Sequence, residues 1–212
     1  MKSYHADHIR DKFNILNATV YPYGSRVYST HRYGSDYDYI IVDDCVRDGD
    51  EERFFINSDE INVHFHSTPH WLEMIAQHKI FALECIFQEE KNGLFRPAFK
   101  LEKSKLRKEI SEKSSNSWVK CKKKLIVEHD FKIGLKSLFH SFRIIDFGIQ
   151  IARHGCINEY ASARMCTLFN GIMDNSPFLS ADSAEDEWNK ISTKYKSLHN
   201  EMLTEFRKLA PK

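Results

Sequence analysis

Asp36 and Asp38 stand two apart at the head of an apolar run, Tyr39-Ile40-Ile41-Val42. Alternate residues of a strand leave the same face, so both carboxylates point one way. Side by side they repel, and a cation between them relieves that cost. Mg2+ takes hard oxygen ligands and commonly combines one or two carboxylates with substrate phosphates. Upstream, Gly24-Ser25 follows the β-branched and aromatic run Ala18 to Tyr23. It reads as the end of one strand and the start of a helix over residues 25 to 31. A glycine there lets the backbone approach a phosphate, and helix-start amides with the Ser25 hydroxyl can donate to it. If the two flanking strands pair, the phosphate cradle and the carboxylate pair become one triphosphate site.

The order Gly24-Ser25, then Ser35-Asp36-Tyr37-Asp38-Tyr39-Ile40-Ile41-Val42, resembles the polymerase-β-like nucleotidyltransferase superfamily. Its motif runs G-S-x-x-x-G and then S-D-x-D before an apolar strand. The chain departs from it at the second glycine, where Ser29 stands. The superfamily draws a third carboxylate from a neighbouring strand. Glu60, in Glu60-Ile61-Asn62-Val63, is similar to the E-h-N-h pattern of aminoglycoside (kanamycin-type) nucleotidyltransferases, and Asp59 is the alternative. The resemblance implies that Asp36, Asp38 and Glu60 are the catalytic, metal-holding acids. They would bind two Mg2+ ions, with Mn2+ as the substitute, and Gly24, Ser25 and Ser35 would contact the nucleotide. The implied activity moves a nucleoside monophosphate from an NTP to an acceptor hydroxyl on a tRNA 3′ end, a small molecule or a protein. The competing class is a catalytically inactive nucleotide-binding or interaction protein of the same fold.

The elements that must position these groups follow from periodicity. Ile9, Phe13 and Leu16 predict a short helix over 5 to 16. Strands are expected at Ala18 to Tyr23 and Tyr37 to Val42, with an acidic loop from Asp43 to Arg53. A short strand follows at Phe54 to Ile56, and a clearer one at Ile61 to Phe65. The Pro69-containing stretch to Gln77 reads as a helix, whereas Ile80 to Phe87 reads equally as strand or helix. Beyond about residue 100 the pattern becomes helical, with segments near 103–129, 134–153, 160–173 and 184–209. Asp130, His154-Gly155 and Asn175-Ser176-Pro177 separate them. The expected fold is therefore α+β: a nucleotidyltransferase core over 1–100, built on a small mixed sheet with flanking helices, and a helical C-terminal domain over 101–212 forming the other wall of a cleft.

In that helical half, Lys136, His140, Arg143, Asp146 and Gln150 form a narrow polar stripe on an otherwise apolar helix. Lys113, Ser117, Lys120 and Lys124 make a row on the helix before it, beside a packing face of Ile110, Ser114, Trp118, Cys121 and Leu125. Lys120, Lys124, His140 and Arg143 are the candidate phosphate or acceptor contacts. An ordinary solvated row accounts for either stripe equally simply. Trp188, Ile191, Tyr195, Leu198, Met202, Phe206 and Leu209 mark the packing face of the last helix.

Composition bounds the rest. The chain has 212 residues with a formal net charge of +1, so bulk charge singles out neither nucleic acid nor a membrane. The charge is segregated instead: Asp36 to Glu60 is strongly acidic and Lys100 to Lys124 strongly basic, a pattern able to bracket a metal-bound polyphosphate. The start, MKSYHADHIRDKF, lacks the apolar core of a signal peptide, and no apolar run approaches the ~20 residues of a membrane span. Five scattered cysteines with no C-x-x-C suggest reduced thiols and a cytoplasmic protein. His64 and His66 share a strand face and His70 follows, but no third ligand stands at a convincing spacing, so structural zinc is not expected.

Overall fold

The computed structural model describes residues 3–174 and 184–212, an α+β chain that divides into two compact units, Met1–Lys100 and Leu101–Lys212. In the first, helix α1 (Ser3–Phe13) precedes strands β1 (Thr19–Tyr23), β2 (Tyr37–Val42), β3 (Glu51–Ile56) and β4 (Asp59–His66), and helices α2 (Thr68–Ala76) and α3 (Ile80–Ile86) close it. The sheet order is β1-β2-β4-β3. β1 runs antiparallel to β2, β2 parallel to β4, and β3 antiparallel to β4.

Each face of this sheet has its own cover. Tyr39, Ile41, Ile61, Val63 and Phe65 point to one face and pack with Ala6 and Ile9 of α1 into a buried cluster. The residues between them, Asp38, Ile40, Asn62, His64 and His66, share the other face through the β2–β4 register. Trp71 of α2 caps one end of that second face, stacking on Tyr21 and His66. The opposite end carries the polar residues.

Three local expectations change. The helix expected over 25 to 31 shortens to a single 3-10 turn, Gly24–Arg26. Ser29 turns left-handed at φ 55°, a conformation that ends helical propagation, and the Thr30 amide reaches back to the Ser25 carbonyl at 2.8 Å. The acidic loop is shorter than expected, because β3 already begins at Glu51. Opposite Glu51 stands His64, whose Nδ1 is 2.9 Å from the Glu51 carboxylate, and cross-strand pairing outweighs the poor strand propensity of the two glutamates. The segment Ile80 to Phe87 is a helix, and six of the seven residues of α3 are buried.

The second unit holds α4 (Lys103–Ile126), α5 (Phe131–His154), α6 (Ala163–Met173) and α7 (Ala184–Leu209). α5 packs on the other three. Asp130 caps its start by accepting from the Ile133 amide at 3.1 Å, and Gly155 ends it at φ 73°. A Cβ at Gly148 would lie 2.9 Å from Ile110 and 3.1 Å from Phe206, so the missing side chain is what lets α5 approach α4 and α7. The packing face of α7 is rotated slightly from the expected stripe, with His199 buried and Leu198 half-buried. The separator Asn175-Ser176-Pro177 lies outside the described residues. No helix among the described residues is long and apolar enough to cross a membrane.

Candidate active site

The pairing of β1 with β2 brings the two halves of the motif together. Tyr23 stands opposite Asp38, so the chain leaves β1 at Gly24 directly beside the Asp38 side chain. Gly24 has φ 75°, and a Cβ placed on it would overlap the Asp38 carboxylate, lying 3.0 Å from its Cγ. Glycine is required here both by the left-handed backbone and by the close approach. The turn after it is tied to the strand carrying the acids. Arg26 donates from Nε to the Asp36 carbonyl at 3.0 Å and from Nη2 to the Ser35 carbonyl, with its guanidinium 3.6 Å from the Tyr37 ring centroid. Ser35 closes a local turn, its Oγ accepting from the Arg32 amide at 2.9 Å.

Asp36 and Asp38 leave the same face and meet one donor. The Asn62 amide nitrogen is 2.5 Å from Asp36 Oδ2 and 3.4 Å from Asp38 Oδ1. Asn62 stands opposite Asp38 in the parallel register and is itself oriented by Arg53, whose Nε donates to its Oδ1 at 2.7 Å. Glu60 lies two residues upstream on the same face, half-buried, with Arg53 Nη1 3.3 Å from its carboxylate. Asp59 points to the other face. There it accepts from the Tyr4 hydroxyl at 3.0 Å and lies 3.1 Å from His5 Nε2, while His5 Nδ1 is 2.8 Å from the Tyr39 hydroxyl. Strand parity thus separates the two third-acid candidates: Glu60 shares the face of Asp36 and Asp38, and Asp59 serves the α1 interface.

Two recesses flank Asp38. One, of about 480 Å3, is lined by Asp36, Asp38, Glu51, Arg53, Asn62 and His64 among others, and the second, of about 470 Å3, by Tyr23, Arg26, Tyr37, Asp38 and Gln88 among others. Either volume suits a small-molecule ligand. Carboxylates dominate the first, so a polyphosphate entering it needs a cation to offset repulsion. The oxygen-only donor set of Asp36 and Asp38 fits Mg2+ in kind. Behind this wall Tyr28 donates to the buried carboxylate of Glu84 on α3, anchoring the segment between the 3-10 turn and Ser29.

The second-unit candidates sit on their own helices. Lys120 is exposed on α4, and the Lys124 ammonium is paired with the Glu128 carboxylate. On α5, Arg143 is buried, donating from Nε to His140 Nδ1 at 3.2 Å, with its guanidinium 5.1 Å from the Phe147 centroid. Desolvation, then the neighbouring cations of Arg143, Lys136 and Lys120, push the His140 pKa down to about 3, so its ring is a neutral acceptor. Asp146 takes its hydrogen bond from Gln150 at 2.9 Å, so the polar stripe of α5 holds two bonded pairs, His140 with Arg143 and Asp146 with Gln150.

Sequence reasoning missed Arg26, Arg53 and the bridging role of Asn62. Arg53 was reachable. Asn57-Ser58 is a two-residue connection, and folding the strands about it places Arg53 opposite Asn62. Arg26 left no comparable signal, because its partners are backbone carbonyls. No protein-family model matches the chain, and no curated protein matches it in sequence.

Proposed function

We propose that the chain is a metal-dependent nucleotidyltransferase that moves a nucleoside monophosphate from an NTP to an acceptor hydroxyl. The observation that carries this reading is the contact of the Gly24 backbone with Asp38, beside an Asp36–Asp38 pair that shares one face and one donor. The Gly24–Arg26 turn offers backbone amides and the Ser25 hydroxyl to phosphate. Asp36 and Asp38, with Glu60 as third acid, would hold Mg2+, with Mn2+ as the substitute. When bound, the metal supplies charge neutralisation on the triphosphate and a lower pKa for the attacking hydroxyl. The acceptor oxygen bonds to the α-phosphorus, the bond to the bridging oxygen of the β-phosphate breaks, and pyrophosphate leaves. The hydroxyl proton is released to solvent. Asn62 and Arg53 act by positioning: the amide holds the two aspartates in one orientation, and the guanidinium holds both the amide and Glu60. Of the helical-unit candidates, Lys124 is paired with Glu128 and Arg143 is buried against His140, so the proposed chemistry is assigned to residues of the first unit alone. The five cysteines are free thiols, in keeping with a cytoplasmic setting.

A second reading, nucleotide binding without transfer, is favoured by one observation. An amide, not an acid, stands opposite Asp38, and Arg53 occupies Glu60. Incubation with Mg2+ and each labelled NTP, alone and with total tRNA or cell lysate, separates the two. Pyrophosphate release that disappears in Asp38→Ala is the expected result. Tight NTP binding with no release in any mixture selects the binding protein and overturns the enzyme.

A further inference from the structure

A third metal-ligand candidate emerges at the far end of the same sheet face. His66 is the last residue of β4 and His70 lies in the first turn of α2. Asp48, from the loop between β2 and β3, joins them, and one ligand atom from each of the three lies within 4.8 Å of the others. We propose that Asp48, His66 and His70 bind a zinc-class divalent transition-metal ion, at a site separate from the Asp36–Asp38 pair.

The ligands come from segments already fixed against one another. The loop is clamped by the Gly49 amide on the Phe65 carbonyl at 3.0 Å and by the Phe65 amide on the Asp50 carbonyl at 2.9 Å. The Asp43 amide reaches the His66 carbonyl at 3.2 Å. Asp48 is oriented by Ser67, whose amide donates to one carboxylate oxygen at 2.7 Å and whose hydroxyl donates to the other at 2.8 Å. Each oxygen keeps a lone pair for a metal, and hydrogen bonds behind a ligand are what tune such sites. The His66 ring is held between Trp71 and Phe81, with centroids 5.5 and 5.6 Å away. Its Nδ1 is buried with no hydrogen-bond partner, and ligation through that atom would supply one.

Two imidazoles and one carboxylate select a zinc-class ion over Mg2+, which prefers oxygen alone. Ligand atoms of a tetrahedral zinc stand about 3.3 Å apart, given bonds of about 2.0–2.1 Å. Closing from 4.8 Å therefore takes only side-chain movement, and Asp48 and His70 are both exposed and able to make it. Asn62, which touches both aspartates, lies four residues upstream of His66, a separation of roughly 13 Å along an extended strand. One ion cannot serve both places.

The test is a titration of the full chain with Co2+, followed by competition with Zn2+. One equivalent should bind with the visible absorption of a low-coordinate cobalt site, and Zn2+ should displace it. His70→Ala should weaken binding by about tenfold or more, the scale expected for loss of support in a metal site. Asp48→Asn keeps a hydrogen-bonding side chain beside Ser67 and should weaken binding likewise, so the inference does not hang on the folding of one variant. The double change Asp36→Asn with Asp38→Asn should leave the titration unaltered. A featureless titration, affinity in the His70 and Asp48 variants as high as in the unaltered chain, or loss of cobalt binding in the Asp36/Asp38 double variant would each overturn the assignment. None of these outcomes depends on transferase activity.

Discussion

Gly24 carries two demands that no other residue type meets together, a left-handed backbone and a side-chain-free approach to Asp38. Gly24→Ala should cost about 1–2 kcal/mol in the backbone alone, and it should also push the Asp38 carboxylate away from Asn62. Urea unfolding measures the first effect. Pyrophosphate release measures the second, and a variant with undiminished activity would show that the contact is incidental. Ser29 is left-handed as well, at φ 55°, where the motif it resembles carries glycine, so the departure places strain at that position.

Between elements, the decisive contact is β2 against β4, where Asn62 donates to both aspartates. Asn62→Asp replaces the shared donor with a third carboxylate. In EDTA the variant should lose roughly 1–3 kcal/mol, the cost of a lost hydrogen bond and an unpartnered buried group, and Mg2+ should restore part of that stability. Thermal melts with and without Mg2+ read the effect. Loss of stability that Mg2+ leaves unchanged would argue against cation binding between these strands. The same strand pairing explains what was legible beforehand. Asp36 and Asp38 were readable as a pair because strand parity is a local property, whereas Glu60 joined them only through the resemblance. The choice between Glu60 and Asp59 was not readable, since it depends on which face α1 covers and on His5 taking Asp59.

At the scale of the whole chain, acid should act on the helical unit through two histidines kept neutral. His199, packed on Trp118 and Phe142, is pushed down to about 4 by burial and then by Arg207, and His140 to about 3. In the unfolded chain both titrate near 6.5. A lowered folded pKa means that the unfolded chain binds the proton first, so the stabilisation is complete above about pH 6.5 and is lost as pH falls toward 4. The transition reported by Trp118 and Trp188 should therefore move to lower temperature between about pH 7.5 and pH 4.5. His199→Leu should shrink that difference, and an unchanged difference would mean that His199 does not contribute.

Much of the chain was determined by its sequence alone, because short-range rules decide it. Strands β1, β2 and β4, the breaks on either side of α5 near Asp130 and Gly155, and the shared face of Asp36 and Asp38 all follow from periodicity and backbone preference within a few residues. Tertiary structure decided what depends on partners distant in sequence. It made β3 out of an acidic stretch by pairing Glu51 with His64, and it turned the ambiguous run at Ile80 into a helix by burying nearly all of it. It also set Gly24 against Asp38, Arg53 behind Asn62, and Asp48 beside His66 and His70. These contacts arise from strand register and loop closure, and of them only the Arg53–Asn62 register follows from a short local connection.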